Sequence, residues 1–297
     1  MSKYYYVLIT PARNEQAFIE KTIKSVISQT IIPRKWVIVN DNSIDNTCEI
    51  VHAYSTAYSF IQLVHGEKRI QRDFSSKVNA INTALNHLKH IQYEFIGNLD
   101  ADISFEPFYY ESILEKFQRN VKLGIAGGFI HENYNGEFKS RPNNSIRSVA
   151  GGIQMFRRKC YEAIGGFLPL EKGGEDWCAE VMARMKGWQV EAFPEIKVFH
   201  HRHSATANMV NLRRKFISGL MDFSLGSHPL FELLKCFRRV KEKPYLIGAI
   251  LRMCGFMWAY CKREKQVVSS DFIKYLRKEQ MYRVKSLFNR SITQLKR

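Results

Sequence analysis

The chain has 297 residues, 45% hydrophobic and 25% charged, a balance that supports a packed domain with or without an appendage and excludes global disorder. Its formal net charge is +17, unevenly spread: from residue 201 onward there are 21 basic and 6 acidic side chains, or +15, against a nearly neutral first 200 residues. Such asymmetry implies an anionic partner for the tail, whether membrane lipid, nucleic acid or another polyanion.

The short apolar run at 4–9 is rich in aromatic and β-branched residues. It is too short for a signal-peptide core and predicts a first strand. Pro11-Ala12-Arg13-Asn14-Glu15 follows as a loop. Phe18, Ile19, Ile23, Val26 and Ile27 then recur at helical spacing. A second strand at 36–39 ends in Asn40-Asp41-Asn42-Ser43-Ile44-Asp45-Asn46-Thr47, a cluster of turn and helix-capping residues. The pattern continues with a helix over 48–54, a strand at 61–64, a helix over 76–87 and a strand at 95–99. Strands this continuously apolar, alternating with helices, predict an α/β fold whose mostly parallel sheet is covered on both faces. Ligands in such sheets sit beyond the carboxyl ends of the strands, where 10–15, 40–47 and 100–102 all carry polar clusters.

Beyond residue 102 the reading is a helix at 107–117, a strand at 124–130, a polar loop over 131–150, a strand at 153–157 and a short helix at 159–164. Gly173-Gly174-Glu175-Asp176 opens a helix that Gly187 closes, and two short strands follow at 190–193 and 197–199. Six scattered cysteines (Cys48, Cys160, Cys178, Cys236, Cys254, Cys261) without a Cys-x-x-Cys pair argue against a zinc site or disulfide framework and for a reducing, cytoplasmic compartment.

The chemistry starts at Asp100-Ala101-Asp102, where an apolar strand ends in two carboxylates. Such oxygen ligands suit Mg²⁺ or Mn²⁺, which keep positions open for substrate phosphates; the ordinary alternative is a solvated turn. Lys77, at a helix start and helped by Arg69 and Arg72, suits an anion, and Asp41 can accept from a base ring N–H. With the 10–15 loop these residues make a site for a nucleoside diphosphate. Glu175-Asp176 at a helix N-terminus is either a dipole-favoured acidic pair or a general base. In His200-His201-Arg202-His203, His200 is the first candidate for a third metal ligand beside Asp100 and Asp102.

Five blocks in order (Thr10 to Glu15, Asn40 to Thr47, Lys77-x-x-Ala80-x-Asn82, Asp100-Ala101-Asp102 and Gly174-Glu175-Asp176-Trp177) resemble the family 2 glycosyltransferases over roughly residues 4–205. The resemblance implies a GT-A fold, a catalytic domain over 1–205, a UDP-, GDP- or dTDP-linked sugar donor and inversion at the anomeric carbon. Carried over, it places Pro11, Ala12, Arg13, Glu15 and Asp41 on the nucleoside, Lys77, Asp100 and Ala101 by the donor, and Asp102 on the metal. Asp176 becomes the base, with Glu175 assisting. Where the family often has Asp-Asp, this chain has Asn40-Asp41. A glycan or lipid-linked acceptor follows, with a surface polysaccharide or glycolipid as product.

The tail, 206–297, is read as a basic helical region. Residues 245–261 form a mostly apolar run interrupted by Arg252 and flanked by Lys241, Lys243, Lys262, Arg263 and Lys265. At 17 residues it is short for a membrane span. It reads as a helix at an anionic membrane surface, with a core helix as the alternative. Two competing functions stand beside the transferase. One is a non-catalytic polyanion or nucleic-acid binder, disfavoured by the lack of any helix-turn-helix, zinc-finger or aromatic RNA-binding signature. The other is a sugar-phosphate nucleotidyltransferase.

Overall fold

A computed structural model describes residues 4–67, 75–202 and 212–295. They divide into two compact units: one is built from residues before 172 and from 175 through 202, the other from 172–174 and the helices from 212 onward.

In the first unit, β1 (Tyr6–Ala12), β2 (Lys35–Asn40), β3 (Ile61–His65) and β4 (Phe95–Asn98) alternate with α1 (Ile19–Ile27), α2 (Thr47–Ala57) and α3 (Ser75–Leu88). These strands lie parallel in the order β3-β2-β1-β4. Covered on both faces, they are almost wholly apolar; the indole of buried Trp36 satisfies its N–H by donating to Thr10 Oγ1 at 2.9 Å. Pro11 and Ala12 belong to β1, in register with Val39 and Asn40, so the loop expected there begins only at Arg13.

The far half of the sheet mixes strand directions. β5 (Ile103–Phe105), α4 (Tyr109–Arg119), β6 (Leu123–Tyr134), β7 (Glu137–Ser140), β8 (Met155–Arg157), α5 (Arg158–Ile164), α6 (Glu175–Met185) and β9 (Gln189–His200) continue the chain. The order runs on from β4 through β8, β6 and β9 to β5, with β7 paired on β6. β8 is antiparallel to both β4 and β6, while β6 and β9 are parallel.

Two expectations change here. The polar stretch after 130 is largely a hairpin of β6 and β7, closed by Asn135 and Gly136 with φ of 53° and 94°, the left-handed pair that a tight hairpin turn requires. The two short strands at 190–193 and 197–199 are one strand, β9. Its register against β6 jumps from Gly128↔Phe193 to Phe129↔Lys197, so residues 194–196 bulge. The bulge brings the Ile196 carbonyl against Gly128, where any Cβ would collide with it. β5, too short to show a period, completes the edge.

The second unit comprises α7 (Leu212–Ser224), α8 (Pro229–Arg238), α9 (Tyr245–Cys261) and α10 (Ser270–Leu295). α7 and α9 cross closely at glycines: a Cβ on Gly219 would strike the Arg252 carbonyl, and one on Gly255 the Phe216 carbonyl. Beside the crossing lies a buried ionic cluster. Arg252 donates to Asp222 and, at 2.9 Å, to Glu232; Lys235 reaches Asp222 at 2.8 Å. No described helix is long and apolar enough to cross a membrane.

Candidate active site

The loops after β1 and β2 are stitched to each other. The Asn14 N–H donates to Ser43 Oγ (3.1 Å), Glu15 N–H to Thr47 Oγ1 (2.7 Å) and Gln16 N–H to Asp45 Oδ2 (3.2 Å), while Asn14 Oδ1 accepts from Ile44 N–H (2.9 Å). Asn14 and Asn42 both take left-handed backbone (φ 55° and 56°), a conformation asparagine tolerates. Arg13 stands 3.8 Å from Asp41, and Asp41 lines a shallow cleft against α3 with Gly66, Ser76, Asn79 and Thr83. Arg13, Glu15 and Asp41 thus share one rim, whereas Pro11 and Ala12 lie in the strand beneath it.

The carboxyl end of β4 supplies the next groups. Asp100 accepts from Lys77 Nζ at 2.7 Å, joining α3 to the strand end. Burial alone would lower the Lys77 ammonium, but the Asp100 charge, with Glu175 and Asp176 beyond it, holds it above its ordinary value. Asp102 faces other partners: His200 Nε2 at 3.4 Å and Arg202 Nε at 2.8 Å. Burial would raise its carboxyl, yet hydrogen bonds and charge from His200 and Arg202 bring it to about 2, and the same contact raises His200. Arg202 also donates to Glu15. Burial there outweighs the guanidinium and, with Asp102 nearby, pushes Glu15 up to about 7.

Asp100, Asp102 and His200, expected as one three-donor set, do not converge. Among the described residues no three His, Cys, Asp or Glu side chains are gathered as an ion cage, because Asp100 turns to Lys77 while Asp102 turns to His200 and Arg202. The Asp102 carboxylate and the His200 imidazole nonetheless face each other. This pair fits a cation that takes its remaining ligands from water and phosphate, as Mg²⁺ and Mn²⁺ do. His201 is used otherwise, its Nε2 lying 2.7 Å from Ser104 Oγ. His203, Arg69 and Arg72 lie outside the described residues.

Opposite Asp100 stands α6. Asp176 and Asp100 both line a cavity of about 180 Å³ together with Lys77, His200 and Arg141. Gly151 and Gly152 fit between the two acids: a Cβ on Gly151 would lie 2.5 Å from Asp176 Oδ2, and one on Gly152 2.7 Å from Asp100 Cγ. Asp100 N–H donates to the Gly152 carbonyl at 2.9 Å, a contact that exists because β8 pairs antiparallel to β4. One turn below Asp176, buried Glu180 accepts from Val149 N–H (2.6 Å), and Gln154 donates to the Val149 carbonyl (3.2 Å), so α6 holds this segment in place. Burial pushes Glu175 up, with the Asp176 charge adding to it.

The structure adds residues that sequence reading passed over. Gly151, Gly152 and Glu180 gave no motif, although the Gly-Gly pair ahead of an apolar run was a usable signal. Arg202 was hidden in a histidine cluster that drew attention to metal binding.

A model of glycosyl transferase family 2 matches residues 7–179. The chain belongs to that family. Among curated relatives, the poly-beta-1,6-N-acetyl-D-glucosamine synthase of Staphylococcus epidermidis is 32% identical over 118 residues, and that of Staphylococcus aureus is 30% identical over the same length. The match covers 39% of this chain and 26% of each of those proteins, so the chain spans about a quarter of their length. Among solved structures, a mannosyltransferase from Pyrobaculum calidifontis in complex with GDP-Man and Mn²⁺ superposes with a TM-score of 0.57 at 17% identity, covering 92% of this chain and 79% of that one. S. aureus TarS 1-349 with UDP-GlcNAc gives 0.54 at 14% identity, covering 93% and 82%. The fold is therefore GT-A, and the chain is a member of a glycosyltransferase family.

Proposed function

We propose that this glycosyltransferase moves one sugar from a nucleoside-diphosphate sugar to a hydroxyl of a glycan or lipid-linked acceptor, with inversion, in the synthesis of a surface polysaccharide or glycolipid. The observation that carries the reading is the single cavity with Asp100 and Lys77 on one side, Asp176 on the other and two glycines wedged between. An inverting transfer needs one base facing the anomeric carbon from the side opposite the leaving diphosphate, and such a pair of walls supplies it.

In this reading the rim of Arg13, Glu15 and Asp41 takes the nucleoside, with Asp41 accepting from the base. Lys77 and Asp100 hold the donor sugar and diphosphate side. Asp176 takes the proton from the acceptor hydroxyl as its oxygen bonds to the anomeric carbon and the bond to the diphosphate breaks; Glu175, kept protonated more readily by burial, assists by hydrogen bonding. Asp102 and His200 would hold a Mn²⁺ or Mg²⁺, whose charge would offset that of the departing diphosphate. The β6–β7 hairpin and Arg141 border the cavity and select the acceptor. Six free thiols fit a reducing compartment, and the enzyme works at the inner face of the cell membrane.

The test is nucleotide release from a panel of UDP-, GDP- and dTDP-sugars with Mn²⁺, with donor binding by calorimetry alongside. Release from one donor, lost in Asp102→Ala and in Asp176→Asn, supports the assignment. Release undiminished in Asp176→Asn removes that residue as base, and a chain that binds none of the donors overturns the reading.

A further inference from the structure

α9 is built inside out. A helix on a water-exposed surface shows charge outward and apolar groups inward. On α9 the outward residues are Leu246, Ile247, Ile250, Cys254, Met257 and Trp258, and none is charged. Several are about half exposed: Leu246 55%, Ile247 57%, Ile250 50% and Trp258 54%. The inward face is Gly248, Ala249, Gly255, Phe256 and Ala259, together with the helix's one charge, Arg252. That guanidinium is neutralised within the unit by Asp222 and Glu232, so nothing ionic is left along the outer face. On α8, Leu233 and Phe237 are also exposed, at 55% and 78%.

An apolar strip of this extent on a protein surface marks a contact. At 17 residues it is about 25 Å long, and cations stand at both ends. Lys241 and Lys243 precede it, and Lys262, Arg263 and Lys265 follow, with the Lys262 ammonium 5.3 Å from the Trp258 ring centre. The acids among them are engaged, Glu242 near Arg239 at 3.7 Å and Glu264 with Lys172 at 2.6 Å. An apolar face between cationic ends is complementary to a bilayer with anionic headgroups: acyl chains take the strip while phosphates take the lysines and arginines. A second copy of the chain fits poorly, since it would press two such cationic ends together.

We infer that the outward face of α9 docks this enzyme on an anionic lipid surface. The inference gives a physical site to the membrane location in the proposed function, and rests on that reading only for its purpose. Binding itself does not require turnover.

The experiment is co-sedimentation of the full chain with vesicles of phosphatidylcholine alone or mixed with phosphatidylglycerol. Binding is expected to the mixed vesicles and to weaken in added salt. Ile250→Glu with Trp258→Glu should lower the partition coefficient at least about a hundredfold, two large side chains at roughly tenfold each. A second variant, Lys241→Ala, Lys243→Ala, Lys262→Ala and Arg263→Ala, should lose at least about tenfold, with circular dichroism confirming that both remain folded. Asp176→Asn should bind vesicles as the parent does, which separates a failure of docking from a failure of the transfer reading. Parent protein that ignores the mixed vesicles overturns the inference, as do variants that bind like the parent. So does light scattering that shows a dimer dissolved by the glutamate variant without any vesicle binding.

Discussion

Replacing Gly151 by alanine adds one methyl group at the point where the glycine pair meets α6. The backbone there is not left-handed, so alanine meets no conformational penalty of its own. The collision is with Asp176: the new Cβ would lie 2.5 Å from Oδ2, 2.9 Å from Cγ and 2.8 Å from Cβ. Rotating the carboxylate relieves the first contact but not the last, because Asp176 Cβ moves only with the helix. Restoring ordinary van der Waals separation requires a shift of about 0.5–1 Å. If Asp176 is the base, a displacement of that size costs about 10²-fold in turnover, while stability changes by only about 1–2 kcal/mol, the usual penalty of local overpacking. Steady-state transfer measured with thermal unfolding separates the two. The expected result is kcat down about a hundredfold, donor affinity by calorimetry within about threefold of the parent, and a melting temperature lowered by a few degrees. A Gly151→Ala enzyme with kcat within twofold of the parent would refute the argument, since the wedge would then not set the position of the reacting carboxylate.

Lys77→Met strips Asp100 of its counter-charge and should weaken donor binding roughly tenfold, a value discounted for the pair's partial exposure; calorimetry with donor analogue checks it, and unchanged affinity would detach Lys77 from the donor. Glu180 concerns pH. Its carboxyl rises from 4.5 to about 7 on folding, so between those values the folded chain keeps a proton that the unfolded chain releases, and stability falls as pH rises across the window. Glu180→Gln should flatten that slope and gain about 1–3 kcal/mol at pH 8 but little at pH 4; Glu15, also near 7, leaves a residual slope of the same sign. Arg252→Met leaves buried Asp222 and Glu232 with Lys235 alone and should cost about 3–5 kcal/mol in denaturant unfolding, whereas a loss under about 1 kcal/mol would show the cluster to be dispensable. Gly255→Ala drives a methyl into the Phe216 carbonyl and should destabilise the α7–α9 crossing by about 1–3 kcal/mol, visible as earlier proteolysis within the helical unit.

Much of the first half of the fold was legible because its strands are buried on both faces and carry uninterrupted apolar runs: 36–39 and 95–99 announce β2 and β4 within a residue. The far half hid itself for specific reasons. The apolar alternation of β9 is broken at Pro194 and Glu195, both exposed at the bulge, so one strand looked like two. The β6–β7 hairpin carried a clear signal in Asn135-Gly136, and the polar residues around it masked that signal. At the site, motif residues Lys77, Asp100 and Asp176 do line one cavity, which spacing along the chain could suggest but not place. The Gly151-Gly152 pair between them was visible in the sequence, but its place in the site was not. Its role depends on β8 running antiparallel to β4, a pairing that joins residues 152 and 100 across about fifty positions. Arg202 eluded the reading because a guanidinium that satisfies two acids has no local pattern.

The bulge at 194–196 makes β9 behave as two separately indexed rulers. The first, through Phe193, keeps its teeth in the start of β6; the second sets His200 opposite Glu132 on one neighbour and Ile103 on the other. A strand has a two-residue repeat, so an inserted residue ordinarily turns every later side chain to the wrong face. Here the slack lies upstream of His200. A change of length confined to 194–196 can be taken up as a larger or smaller excursion, leaving the second ruler in its groove. Chain length at that point is thus uncoupled from the placement of the histidine, and the segment is the natural place to graft a loop without disturbing the site.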